Sequence, residues 1–120
     1  MLCPLCGTVS RSFFGNTFYS CPSCDGIFRD PETFLSPETE RARYEQHNND
    51  TTDPGYRAFV LPLVNAITSR MPPTSRGLDF GAGPGPVGSV LLAERGYHTV
   101  CYDPYFHNTP ELLAEKYDFI

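Results

Sequence analysis

The spacing of apolar and polar residues divides the chain into three stretches. Up to about residue 30 there is no helical period, only two short aromatic and β-branched runs, "VSRSFF" and "TFYSC", separated by Gly15-Asn16, a pair of the kind that closes a hairpin. From residue 36 the pattern turns helical. Ser36-Pro37-Glu38 supplies an N-cap, a proline at the first helical position and an acid in the first turn, and predicts a polar helix through about Asn48 that "NNDTTDPG" breaks. A second helix, roughly Tyr56 to Arg70, places Phe59, Val60, Leu63, Val64 and Ile67 on one stripe, with Pro62 inside it removing a hydrogen bond.

After the linker "MPPTSR" the pattern reads strand, loop, helix, strand. "GLDF" ends a strand at Phe80, and Gly81 to Gly85 form a glycine-rich loop. Pro86 to about Arg95 form a helix with Val87, Val90 and Leu91 on its buried side and Gly96 as its stop, and "HTVCYD" is a second strand ending at Asp103. "YDFI" begins a third. A βαβ unit puts its loop at the carboxyl end of the first strand, where sheets of this type bind ligands.

Composition narrows the choice of partner. The 120 residues carry a net charge of −5 with 40% hydrophobic residues, 9 Phe, 7 Tyr and no Trp, so there is no broad basic field for a nucleic-acid backbone and an RNA contact would have to be local. No apolar run of membrane-spanning length and no secretory leader is present, which makes a cytoplasmic location the expectation.

Four of the 5 cysteines fall in two pairs, "CPLCG" and "CPSCD". Cys3 with Cys6, and Cys21 with Cys24, let two thiolates from one tight turn reach the same ion, and Gly7 lets the backbone close on the sulfurs. The intervening segment, residues 7 to 20, is a little shorter than the usual span of about 15 to 20 between paired CxxC zinc ligands. Neither pair sits between a strand and a helix, as a redox dithiol would. The set predicts one structural zinc ion with a closed, tetrahedral shell, stapling a segment too small to build a core; its aromatic residues are expected first as core. Cys101, inside the second predicted strand, reads as a small core residue.

The loop lacks the lysine that a phosphate loop requires. A dinucleotide fingerprint can be laid over Gly83, Gly85 and Gly88, but Asp79 just ahead of the helix would repel a pyrophosphate and suits a cation. "DFGAGPG" resembles the D-x-G-x-G-x-G motif of class I S-adenosylmethionine-dependent methyltransferases, and Asp103 resembles their acid for the ribose hydroxyls; the likeness runs from about Arg76 to Asp103, with a looser match at "KYDFI". The resemblance implies a cofactor site made of Asp79, Gly81, Ala82, Gly83, Gly85, Asp103 and Pro104, with Asp79 toward the ammonium group. It also implies a lid in which Tyr44, His47 and Asn48 share a helix face over the site.

The resulting expectation is an α/β chain: a zinc-ribbon hairpin module (1–30), a helical linker or lid (31–72) and the first βαβ part of a Rossmann-like methyltransferase sheet (73–120), left incomplete at Ile120. The residues nearest the transferred methyl would lie beyond Ile120, and the exposed sheet edge would favour self-association or a partner. The expected function is methyl transfer from S-adenosylmethionine to an RNA base or a small molecule. The alternative is a zinc-ribbon interaction module carrying a non-catalytic methyltransferase remnant.

Overall fold

The computed structural model describes residues 1–47 and 49–120, and they form a mixed α/β chain in two compact units, Met1–Glu40 and Arg41–Ile120. None of the described helices is long and apolar enough to cross a membrane.

The first unit is a three-stranded antiparallel sheet in the order β1 (Arg11–Phe14), β2 (Phe18–Ser20), β3 (Ile27–Arg29). Gly15 and Asn16 both take φ of +55°, and the Thr17 amide donates to Phe14 O at 3.0 Å, so the predicted hairpin turn forms. A bulge between Ser12 and Phe14 shifts its register. The third strand is absent from the sequence reading, because a three-residue run offers no period to count. A 3₁₀ turn, Pro31–Thr33, follows.

The expected aromatic core of this unit does not form. Phe13 and Phe14 are 59% and 70% exposed; Tyr19 stacks on Phe28 with ring centroids 5.8 Å apart, and the deeply buried side chains are Cys3, Ser10 and Cys21. A single small sheet has no second layer to press aromatic rings against, so burial concentrates where the two cysteine turns meet.

Helix α1 (Pro37–Glu45) starts as expected, the Ser36 hydroxyl accepting from the Thr39 amide at 3.3 Å, but it stops before His47. Helix α2 (Pro54–Thr68) begins two residues earlier than predicted because Asp53 caps it, its carboxylate accepting from the Tyr56 amide at 2.6 Å. Its buried stripe is Tyr56, Val60, Val64 and Ile67, continued by Met71, while Phe59 and Leu63 are 80% and 61% exposed. The helix is apolar over more than half its circumference, so periodicity alone does not choose the face; packing against α3 (Val87–Ala93) does.

Strands β4 (Arg76–Phe80) and β5 (His98–Tyr102) pair in parallel, Asp79 opposite Cys101 and Phe80 opposite Tyr102. Helix α3 connects them. It is shorter than expected and ends in a Schellman turn: Gly96 takes φ of +83°, its amide reaches Ala93 O, and the Tyr97 amide reaches Leu92 O. That turn drives Tyr97 into the core formed with Val64, Val87, Leu91 and Leu92, and the Tyr97 hydroxyl donates to Met71 O at 2.7 Å. Ser89 and Leu92 are buried, whereas Val90 is only half-buried. "YDFI" is not a full strand; Phe119 makes one parallel bridge to Gly77, on the edge of β4 away from β5. A Cβ at Gly77 would overlap the Phe119 ring, which accounts for that glycine.

Candidate functional site

Two groups of residues carry chemistry, one in each unit. In the first, the two cysteine turns are built alike. The Cys3 amide donates to Thr8 O and the Gly7 amide to Cys3 O, both at 2.9 Å; the Cys21 amide donates to Gly26 O at 2.9 Å and the Asp25 amide to Cys21 O at 3.0 Å. The fourth position after each leading cysteine turns left-handed, at Gly7 with φ of +73° and at Asp25 with φ of +55°, a conformation that aspartate tolerates better than most residues.

These turns bring all four Sγ atoms within 4.8 Å of one another. Cys3 and Cys24 are 3.7 Å apart and Cys6 and Cys21 3.4 Å. A tetrahedral zinc with about 2.3 Å bonds to sulfur requires sulfurs roughly 3.8 Å apart, so the quartet has the dimensions of a four-thiolate shell and could hold a metal such as zinc. Crowding spreads the acidities. Hydrogen bonding to Thr8, with help from Cys21, draws the Cys6 thiol down to about 6. The Gly26 amide pulls Cys24 down, but the neighbouring Cys21 sulfur, burial and the other two sulfurs push it up to about 12. A divalent cation removes that conflict by taking all four as thiolates.

In the second unit the glycine loop leaves β4 and turns back on the end of β5. The amides of Gly81 and Ala82 donate to Tyr102 O at 2.8 and 3.0 Å, and the Gly83 amide donates to Asp103 Oδ2 at 3.0 Å. Asp103 is only 8% exposed. Its Oδ1 accepts from the Tyr105 and Phe106 amides at 2.8 and 3.2 Å, while its own backbone closes a turn with His107 that contains the exposed Pro104.

The loop glycines serve different ends. Gly81 and Gly83 have φ of +77° and +65°; a Cβ at Gly81 would meet open space, and one at Gly83 would approach only Asn49 Nδ2, at 3.7 Å. Gly85 is buried, and a Cβ there would overlap the Asn49 backbone carbonyl. Its backbone therefore makes room for the chain's own residue 49.

Asp79, half-buried, accepts from the Ser89 hydroxyl at 2.9 Å through Oδ2, and the Cys101 thiol donates to Ser89 Oγ at 3.4 Å. Burial, opposed by the Ser89 contact and reinforced by the Asp79 charge, pushes that thiol up. Cys101 is thus half-buried and hydrogen-bonded rather than plain core filler.

Tyr44 and His47 meet edge to face at 6.0 Å, but α1 ends at Glu45, so they do not share a helix face; Asn48 lies outside the described residues. The Arg41 guanidinium stands 5.8 Å from the Phe106 ring centroid. Three contributors escaped the sequence reading: Asn49, Ser89 and Phe106. Ser89 left a trace, as the one polar side chain in the run "VGSVLLA".

Comparison with protein-family models, with curated proteins and with solved structures finds no match.

Proposed function

We propose that the Arg41–Ile120 unit binds S-adenosylmethionine as the donor in a methyl-transfer reaction, and that the four cysteines of the first unit hold zinc as a structural ion. The observation that carries the cofactor reading is the bond from the Gly83 amide to the buried Asp103 carboxylate. It ties the glycine loop that follows Asp79 to the acid after β5, at one end of a parallel strand pair, where such sheets take ligands. The bridge of Phe119 to the other edge of β4 adds support, since it gives β4 parallel neighbours on both sides.

The residues suit this ligand's chemistry. S-adenosylmethionine has an ammonium group, a sulfonium and two ribose hydroxyls, and when bound it supplies an electrophilic methyl group. Asp79 has one oxygen, Oδ1, without a hydrogen bond among the described residues, and would take the ammonium group. Asp103 accepts three amides, and a carboxylate has about four lone-pair positions, which leaves capacity for a ribose hydroxyl. Gly81 presents bare backbone beside open space, and Gly83 has only the end of the Asn49 side chain near it, at 3.7 Å.

The test is calorimetric titration of the intact protein with S-adenosylhomocysteine and with NAD side by side. S-adenosylhomocysteine binds and NAD does not; Asp103→Asn, which turns one acceptor oxygen into a donor, weakens the binding roughly tenfold or more. Binding of NAD alone overturns the reading.

A further inference from the structure

Asp79 and Cys101 are register partners in adjacent parallel strands, so their side chains leave the same face of the sheet. Ser89 projects onto that face from the middle of α3. It is 9% exposed, and it is the only hydrogen-bond partner of the Asp79 carboxylate among the described residues. Its hydroxyl is used in both directions, accepting from the Cys101 thiol and donating to Asp79 Oδ2. An aspartate in a strand has a broad, two-fold χ2 torsion, so an unbound carboxylate would rotate; one fixed donor selects a single orientation and leaves Oδ1 as the open acceptor.

We propose that Ser89 is a positioning residue that aims Asp79 at the ammonium group of the bound ligand. This rests on the cofactor reading above and extends it to a residue that touches no ligand. Because the Cys101 thiol is held in its protonated, donating form, the chain thiol, hydroxyl, carboxylate runs in one direction, and each bond polarises the next. Ser89 therefore tunes recognition of one end of the ligand, the amino-acid end, and is silent toward the adenosine end.

Two probes separate those ends: S-adenosylhomocysteine, which carries the ammonium group, and 5′-deoxy-5′-methylthioadenosine, which keeps the adenosine and the sulfur but lacks it. Alanine is a good helix former and removes only the hydroxyl, so Ser89→Ala is expected to fold, as a thermal melt will show. Its affinity for S-adenosylhomocysteine should drop about tenfold while that for methylthioadenosine stays unchanged, and Ser89→Thr should recover most of the loss. In an Asp79→Asn background, Ser89→Ala should add little further, as expected for two groups acting as one.

Equal losses on both probes, or full additivity with Asp79→Asn, overturn the positioning role and make Ser89 merely structural. Unchanged affinity of Ser89→Ala for S-adenosylhomocysteine overturns it too, with the cofactor reading intact. If the native protein binds neither probe, the cofactor reading fails and the inference falls with it.

Discussion

In the Met1–Glu40 unit the two most deeply buried described side chains are cysteines, Cys3 and Cys21, and the aromatic rings that could have made a core lie largely in solvent. In the Arg41–Ile120 unit, Val64 of α2, Val87, Leu91 and Leu92 of α3, and Tyr97 after it form a contiguous apolar cluster. One unit converges on four sulfur atoms; the other spreads its stabilisation over many small contacts. A few directional bonds fail together when one is lost, whereas distributed burial loses stability in proportion to what is removed.

The largest expected effect follows from that contrast. Cys21→Ser, or a strong chelator, abolishes metal binding and collapses the three-stranded sheet, while the α2 and α3 helical signal survives; apparent zinc affinities in small four-ligand domains correspond to about 10–16 kcal/mol, far more than such a sheet has from burial. Metal analysis paired with amide NMR spectra checks it, and a Cys21→Ser protein with full metal content would break the comparison.

Next in size is Leu91→Ala, at a residue 4% exposed. It should cost the second unit about 2–5 kcal/mol in denaturant unfolding and leave the metal content untouched.

A smaller change, Gly81→Val, places a β-branched residue at φ of +77°. It should cost the fold on the order of 1–2 kcal/mol and remove S-adenosylhomocysteine binding, because the side chain fills the open space beside the loop. A stable variant with full binding would show that the ligand lies elsewhere.

The smallest effect is the most pointed. Phe59→Ser should shift stability by less than about 0.5 kcal/mol, since the ring is 80% exposed, although the sequence stripe assigns it to the core.

Legibility followed the range of the interactions. The cysteine quartet was readable because its chemistry is written in residue type at short spacing, and each turn closes on itself within six residues, Cys3 to Thr8 and Cys21 to Gly26. Gly15-Asn16 and Gly96 were readable for the same reason: a local conformation demands a particular residue. The order β4, α3, β5 was legible in its pattern.

What failed depended on distant partners. Phe59 and Val60 look alike in sequence, and only the position of α3 separates the buried one from the exposed one. The need for a glycine at position 85 comes from Asn49, and nothing in "NNDTTDPG" announces that approach. The sequence pattern sets Tyr44 and His47 on one helix face because the cap at Ser36 is visible in it and the stop at Glu45 is not.

The bridge between Gly77 and Phe119 sets an order of events in time. The sulfur-bearing turns of the first unit meet across 21 residues, Cys3 to Cys24, while the Arg76 amide waits for the Asp118 carboxylate 42 residues further on, and Phe119 arrives with it. Longer closures cost more chain entropy and slow the search. As the chain leaves the ribosome, the cysteine turns are complete and able to capture an ion before β4 has either neighbour. β5 covers one edge of the strand that carries Asp79, so its other edge is the last to be secured, and until Phe119 arrives that edge is open to chaperones or to a neighbouring nascent chain.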